Sequence, residues 1–303
     1  MSRIDEALRR KNGSDDRLSV VGDQEPFAEV WSISKSETAP APVPEGGAAA
    51  KAVVRRLGVV PAPMARTGLV SFSAQWREKL ADGPEADPSV VEQFRRLAAT
   101  LHHARQANGL KSLMVSSASP GDGKTLTAVN LALVLAKSYN YNVLLVDADL
   151  RRPSITSVLD LTDGNGLTEA LRSPTEQKVG LVSITPRLTL LPAGLPIANS
   201  IEVLTSPRMQ QILEEASARF DWVILDAPPV GPVADARLLA QMVGATLFVI
   251  HAGRTQCPDV QKAIEAIGRD QILGVVLNGV ESAEKVGYGD YYAPYGPGAV
   301  AGS

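Results

Sequence analysis

Cysteine is nearly missing: Cys257 stands alone in 303 residues, so no internal disulfide can form, which suits a reducing compartment. Histidine is scarce too. His102, His103 and His251 show no metal-ligand spacing, which argues against a zinc site. Aromatic residues make up only 5% of the chain. The longest apolar stretches, such as "AVNLALVLA" at 128–136, fall short of the roughly 20 residues a membrane-crossing helix needs. The opening "MSRIDEALRRKNGSDD" lacks the apolar run of a signal peptide. A cytoplasmic protein is expected, with any membrane contact indirect or peripheral. Basic charge is not in excess either. The formal net charge of -3 opposes the basic footprint of a nucleic-acid protein.

What is present divides the chain into four parts. Residues 1–30 open with a short charged segment, 3–11, that places Ile4, Ala7 and Leu8 on one side. It reads either as a frayed end or as a helix that docks a partner. Residues 31–86 shift to Ala, Pro, Gly and Ser, as in "TAPAPVPEGGAAA", a composition that predicts a disordered linker. A folded domain is expected over 87–283 and a flexible tail over 284–303.

Within the domain, "DPSVVEQFRRLAATLHHARQ" (87–106) reads as an amphipathic helix capped by Asp87 or Ser89. Short apolar runs follow: "LMVSS" (113–117), "VLLVD" (143–147), "LTLLP" (188–192), "WVILD" (222–226), "TLFVI" (246–250) and "ILGVVLN" (272–278). Helix candidates lie near 124–137, 200–219, 234–243 and 258–268. Strands that are apolar throughout, without alternation, are covered on both faces. The pattern predicts a three-layer α/β fold around a mainly parallel sheet.

"ASPGDGKT" (118–125) sits between a predicted strand and a predicted helix. It follows the phosphate-loop pattern G-x-x-x-x-G-K-[ST], with Ala118 at the first glycine position. Gly121 and Gly123 permit the torsions that turn backbone amides toward phosphate oxygens. Lys124 reaches phosphate as a point charge, and Thr125 offers a hydroxyl to Mg²⁺. The candidate nucleotide-binding residues are therefore Ser119, Pro120, Gly121, Asp122, Gly123, Lys124, Thr125 and Leu126.

Two more motifs carry carboxylates. In "VLLVDADLRRP" (143–153), Asp147, Asp149 and Arg151 are spaced by two, so an extended chain would present them to one side. Asp147 ends its strand at the carboxyl edge, where ligands bind in open α/β sheets. There it can hold a metal-bound water or accept a proton. "WVILDAPPV" (222–230) ends a second strand in Asp226, placed for Mg²⁺. Together the three motifs predict a core that binds Mg-ATP.

These motifs, followed by a tail reading "YGDYYAPYGPG" (288–298), resemble the bacterial tyrosine kinases (BY-kinases) of capsule and exopolysaccharide synthesis. "MSRIDEALRR" is also similar to the start of the exosortase-associated (XrtA) branch. The resemblance covers roughly 88–298. It implies a P-loop NTPase fold with a deviant Walker A loop of the Min/Par type, and an ATP- and Mg²⁺-dependent tyrosine autokinase. On that likeness Lys124 and Thr125 serve the phosphates and metal. Asp147 and Asp149 belong to the second motif, with Asp147 as base and metal ligand. Asp226 supports the metal, and Arg151 and Arg152 help the phosphates or a subunit contact. Asn278 matches a position that touches adenine, and is otherwise a turn residue. Tyr288, Tyr291, Tyr292 and Tyr295 are the implied phosphoacceptors; Gly and Pro around them keep each phenol accessible.

The family also implies homo-oligomers that phosphorylate in trans, through an interface helix with E-x-x-R-x-x-R. Glu92 and Arg95 fit; Ala98 takes the last position, beside which Arg96 is an alternative cation. The implied partners are a membrane-bound polysaccharide co-polymerase of the chain-length-regulator type and a protein-tyrosine phosphatase, with no nucleic acid. Two other readings share the fold: a Min/Par positioning ATPase, and a nucleotide-dependent switch without kinase activity. The first expects a lysine five residues before Lys124, where this chain has Ser119.

Overall fold

The computed structural model describes residues 86–161, 165–172, 180–231 and 234–280, with Trp76 and 79–81. The predicted segment 1–30, the tail tyrosines Tyr288, Tyr291, Tyr292 and Tyr295, and nearly all of 31–86 lie outside the described residues.

Among the described residues the first α-helix, α1 (Pro88–Asn108), starts where the sequence places its cap. The Asp87 carboxylate accepts from the Ser89 amide, proline occupies the first turn, and Gly109 ends the helix at φ 68°. Strand β1 (Ser112–Ser117) follows, then α2 (Lys124–Ser138) and β2 (Val143–Asp147). Two short helices, α3 (Ile155–Val158) and α4 (Leu167–Arg172), precede β3 (Val182–Thr185) and β4 (Leu188–Leu191). Then come α5 (Ser200–Leu204), α6 (Pro207–Arg219), β5 (Trp222–Asp226) and α7 (Asp235–Ala240). Among the described residues the last elements are β6 (Ala245–His251), α8 (Cys257–Ile267) and β7 (Ile272–Asn278).

The seven strands form one sheet in the order β3-β4-β2-β5-β1-β6-β7. Every pairing is parallel except the β3–β4 hairpin. Alternate residues of each central strand face opposite layers. Leu113, Val115, Leu145 and Ile224 pack toward α1 and α2 with Leu101, Leu131 and Leu135. Met114, Val146, Leu225 and Phe248 pack the other way, with Leu213 and Val260. Both faces are covered, so the runs are apolar throughout.

Three features depart from the sequence reading. The predicted helix over 200–219 is two helices. Pro207 has no N–H to continue a helix and holds Ser206 extended at ψ 147°, so a new helix starts there. Strand β3 was not anticipated, because its residues are mostly half-exposed and polar rather than an apolar run. The packed core also begins before Asp87. Leu80 and Ala81, inside the predicted linker, are buried. Asn130 of α2 holds that stretch by accepting from the Ala81 amide at 2.7 Å and donating to the Lys79 carbonyl at 2.9 Å.

On α1, Glu92 lies within 3.7 Å of Arg95 and 3.9 Å of Arg96 on the outward face. Ala98 is 0% exposed, in the layer that contains Leu101 and α2. An arginine here would push a guanidinium into a filled core, so the departure from E-x-x-R-x-x-R is a packing requirement. Ala98→Arg is expected to destabilise the domain by about 2 kcal/mol or more. Chemical denaturation checks this; an unchanged midpoint would refute it.

Candidate active site

The loop between β1 and α2 gets its shape from two glycines and one buried acid. Gly121 and Gly123 adopt φ 82° and 98°, a left-handed backbone that side-chain-bearing residues rarely take. A Cβ on Gly123 would collide with the Asn278 side chain. Asp122 is fully buried. One of its carboxylate oxygens accepts from the Ser119 amide and the other from the Thr255 hydroxyl, each at 2.9 Å. Its carbonyl accepts from the Asn278 side chain, also at 2.9 Å. Pinned in this way, the loop delivers the chain into α2, whose first residues are Lys124 and Thr125. Gly123 caps that helix without a side chain, so its leading amides remain available to an anion, helped by the helix dipole.

Parallel pairing of β2 with β5 sets Asp147 in register beside Asp226. Lys124 reaches this edge: its Nζ lies 3.1 Å from Asp149 and 3.6 Å from Asp226. Thr125 donates to the Asp226 carboxylate at 2.6 Å and lies 2.9 Å from the Ser154 hydroxyl. One oxygen of Asp147 accepts from the Ser154 and Ile155 amides at 3.1 and 3.0 Å. Its other oxygen, Oδ1, is buried with no hydrogen-bond partner, as is Oδ1 of Asp226. Asp149 also accepts from the Arg152 amide at 3.0 Å.

Burial and repulsion govern the protons here. Burial, then the Asp226 charge, push the Asp147 carboxyl up to about 7. Burial also raises Asp226, against the opposing pull of Lys124 and the Thr125 hydroxyl. For Lys124, burial favours the neutral amine, but Asp226, Asp149 and Asp147 outweigh it and hold the ammonium above its ordinary range. The cluster thus has one buried cation facing several carboxylates, with a base near neutrality.

Lys124, Thr125, Asp147, Asp149 and Asp226 therefore converge as the motifs implied. Asn278 arrives at the loop from the end of β7. Arg151 does not join them. The chain turns after Asp149, and the Arg151 guanidinium pairs with Asp235 of α7 at 2.9 Å, whose other contact is the Ser200 hydroxyl. Glu92, Arg95 and Arg96 lie on α1, outside the cluster. The motif reading missed Asp235, Ser154, Thr255 and Arg254. Ser154 directly follows the second motif and was within local reach. The other three depend on sheet order and on loops distant in sequence, for which no local pattern exists.

Comparison with known proteins gives this geometry a relationship. Residues 110–285 match the ParA family, described as NUBPL iron-transfer P-loop NTPase. The tyrosine-protein kinase YwqD of Bacillus subtilis is 37% identical over 204 residues, covering 66% of this chain and 85% of that protein. The succinoglycan biosynthesis transport protein ExoP of Rhizobium meliloti is 31% identical over 218 residues, covering 70% of this chain. The match takes in only 27% of ExoP. Among solved structures, the kinase domain of the Escherichia coli tyrosine kinase ETK superposes with a TM-score of 0.60 at 32% identity, covering 66% of this chain and 81% of that one. With these likenesses and a phosphate loop facing paired strand-end aspartates, the chain belongs to the bacterial tyrosine kinase family, built on a nucleotide-binding ParA-type P-loop fold.

Proposed function

We propose that this protein is an ATP-dependent tyrosine autokinase whose substrate is its own C-terminal cluster, Tyr288, Tyr291, Tyr292 and Tyr295, presented in trans to a neighbouring copy. The observation that carries the reading is the convergence of Lys124, Asp149, Asp226 and Asp147 beside the glycine loop.

The residues fit Mg²⁺. Thr125 supplies a hydroxyl, the buried Oδ1 of Asp147 has no hydrogen-bond partner, and Oδ1 of Asp226 has none beyond its 3.6 Å ion pair with Lys124. Several carboxylates against one ammonium leave negative charge for a divalent cation to balance. Thr125 and Asp226, with Asp147 beside them, would hold the ion, which when bound neutralises phosphate charge during transfer.

The protein's own residues then have distinct tasks. Lys124 and the leading amides of α2 hold the polyphosphate. Asp147 takes the phenolic proton as the phenol oxygen bonds to the γ-phosphorus, while the bond to the β-phosphate breaks and ADP leaves. A carboxylate raised to about 7 is well matched to that transfer at neutral pH.

Capsular or exopolysaccharide polymerisation and export is the proposed process under control. A relative named for succinoglycan biosynthesis and transport supports this. Among the described residues no helix is long and apolar enough to cross a membrane. Membrane association is accordingly assigned to a membrane-bound co-polymerase partner, and resetting to a protein-tyrosine phosphatase.

The test is incubation of the whole protein with Mg-ATP, alone and with the partner's cytoplasmic segment, followed by mass spectrometric mapping. Phosphotyrosine is expected at 288–295, and replacing the four tail tyrosines with Phe should remove at least about nine-tenths of the incorporated phosphate. Each phosphate adds about -1.5 to -2 charges, so extensive modification should also weaken self-association. ATP hydrolysis without phosphotyrosine would favour the switch or the positioning ATPase instead.

A further inference from the structure

Arg254 lies in the turn between β6 and α8, a place no motif marks. Its guanidinium sits over the phosphate loop: a Cβ on Gly121 would lie 3.1 Å from both terminal nitrogens. The turn that carries it is tightly built. Gly253 takes φ 72°, the Arg254 and Thr255 amides donate to the His251 carbonyl, and the Ala252 amide donates to the Asn278 carbonyl. The Thr255 hydroxyl accepts from the His251 amide and donates to the buried Asp122 carboxylate, each at 2.9 Å. One side chain thus ties the Arg254 turn to the loop itself. Arg254 is exposed, and among the described residues no carboxylate pairs with it.

Sheet order says which part of a nucleotide it meets. β5 and β2 lie on one side of β1, with Asp226 and Asp147 at their ends; β6 and β7 lie on the other, with Arg254 and Asn278. The transferable phosphoryl group belongs with the base and metal-holding residues on the β2–β5 side. The remainder of the nucleotide must leave across Gly121 toward β6 and β7. We infer that Arg254 is a nucleotide-contacting residue that grips the α- and β-phosphates from the side away from the carboxylates, and that the Asp122–Thr255 hydrogen bond positions it. The inference rests on the nucleotide reading of the site. It gives the loop a second cation, supplied by the turn after β6, the strand next to β1, rather than by the loop's own sequence.

The α- and β-phosphates are common to substrate and product, so the arginine should strengthen ATP and ADP binding alike. Calorimetric titration of the full chain with Mg-ADP is the direct measurement. Arg254→Gln should weaken binding about ten- to hundredfold, the loss typical of a charge-assisted contact. It should raise KM for ATP by a similar factor with kcat nearly unchanged. Arg254→Lys should recover part of the affinity. Thr255→Val should weaken binding as well, because the same hydroxyl holds both the Arg254 turn and the loop's Asp122. Arg254 is exposed, so the arginine variants decide the question even where Thr255→Val loosens the turn. Equal affinity of wild type and Arg254→Gln for Mg-ADP would overturn the inference while leaving the nucleotide reading intact. So would a fall in kcat with ADP binding unchanged, which would assign the arginine to the γ-phosphoryl group. Absence of Mg-ADP binding to the wild type would overturn the nucleotide reading itself, and this inference with it.

Discussion

Lys124→Met is expected to lower autophosphorylation by about a thousandfold or more, to background in an anti-phosphotyrosine blot. Removing a single preorganised donor to a developing charge typically costs about a hundred- to a thousandfold. Lys124 is more than a donor. It is the cation that Asp226 and Asp149 face at 3.6 and 3.1 Å. Met fills much of the same volume without the charge, so the carboxylates lose their counterion in a buried site and take up protons instead. Phosphate and metal binding then fail together, because the oxygens meant for the ion are neutralised. Lys124→Arg tests whether charge alone suffices. A planar guanidinium cannot copy an ammonium point charge at this spacing, so little recovery is expected. A Lys124→Met protein that kept a tenth of the wild-type rate would remove the lysine from the mechanism.

Asp147→Asn should separate activity from stability. The amide keeps an oxygen for the Ser154 and Ile155 amides but cannot take a proton, so phosphotransfer should fall about a hundred- to ten-thousandfold. Stability should move the other way. Burial and Asp226 raise the Asp147 carboxyl from 3.8 to about 7, so the folded state binds a proton that the unfolded chain has released. The stabilisation that this proton represents is present in full below about pH 4. It is lost as pH rises toward 7, at of order 1 kcal/mol per pH unit. Above that the buried charge opposes folding by a constant amount. Without nucleotide or Mg²⁺, wild-type stability should therefore fall between pH 5 and 7, and Asp147→Asn should fall less steeply and be the more stable protein at pH 7.5. Denaturation series at pH 5, 6, 7 and 8 provide the check. Parallel pH dependence for the two proteins would show that Asp147 does not carry the strained charge. The pairing of lost activity with gained stability is what a site built for function, rather than for folding, should give.

Much of this site is legible in the primary structure because its signals are local. An apolar run ending in aspartate marks a strand and its functional end at once, and β2 and β5 end at Asp147 and Asp226. The loop and its helix are contiguous, so Gly121, Gly123, Lys124 and Thr125 could be assigned together. What escaped depends on contacts between distant segments. Arg151 follows its motif in sequence, but Asp235, 84 positions later, draws it aside. Arg254 and Thr255 reach the loop because β6 lies next to β1, an adjacency that no local pattern encodes. Ala98 departs from an interface motif because the core around it, which is distant in sequence, leaves no room for a larger side chain. Pro207 divides the predicted helix over 200–219, because it has no N–H to continue the helix before it.

Asn130 gives the domain a mechanical link. It sits on α2 less than two turns beyond Lys124, and through it that helix holds the backbone at Lys79 and Ala81. A pull on the backbone at Lys79 or Ala81 enters the domain at this clip. It is passed to the helix whose first turn would grip the phosphates, rather than to a remote edge of the sheet.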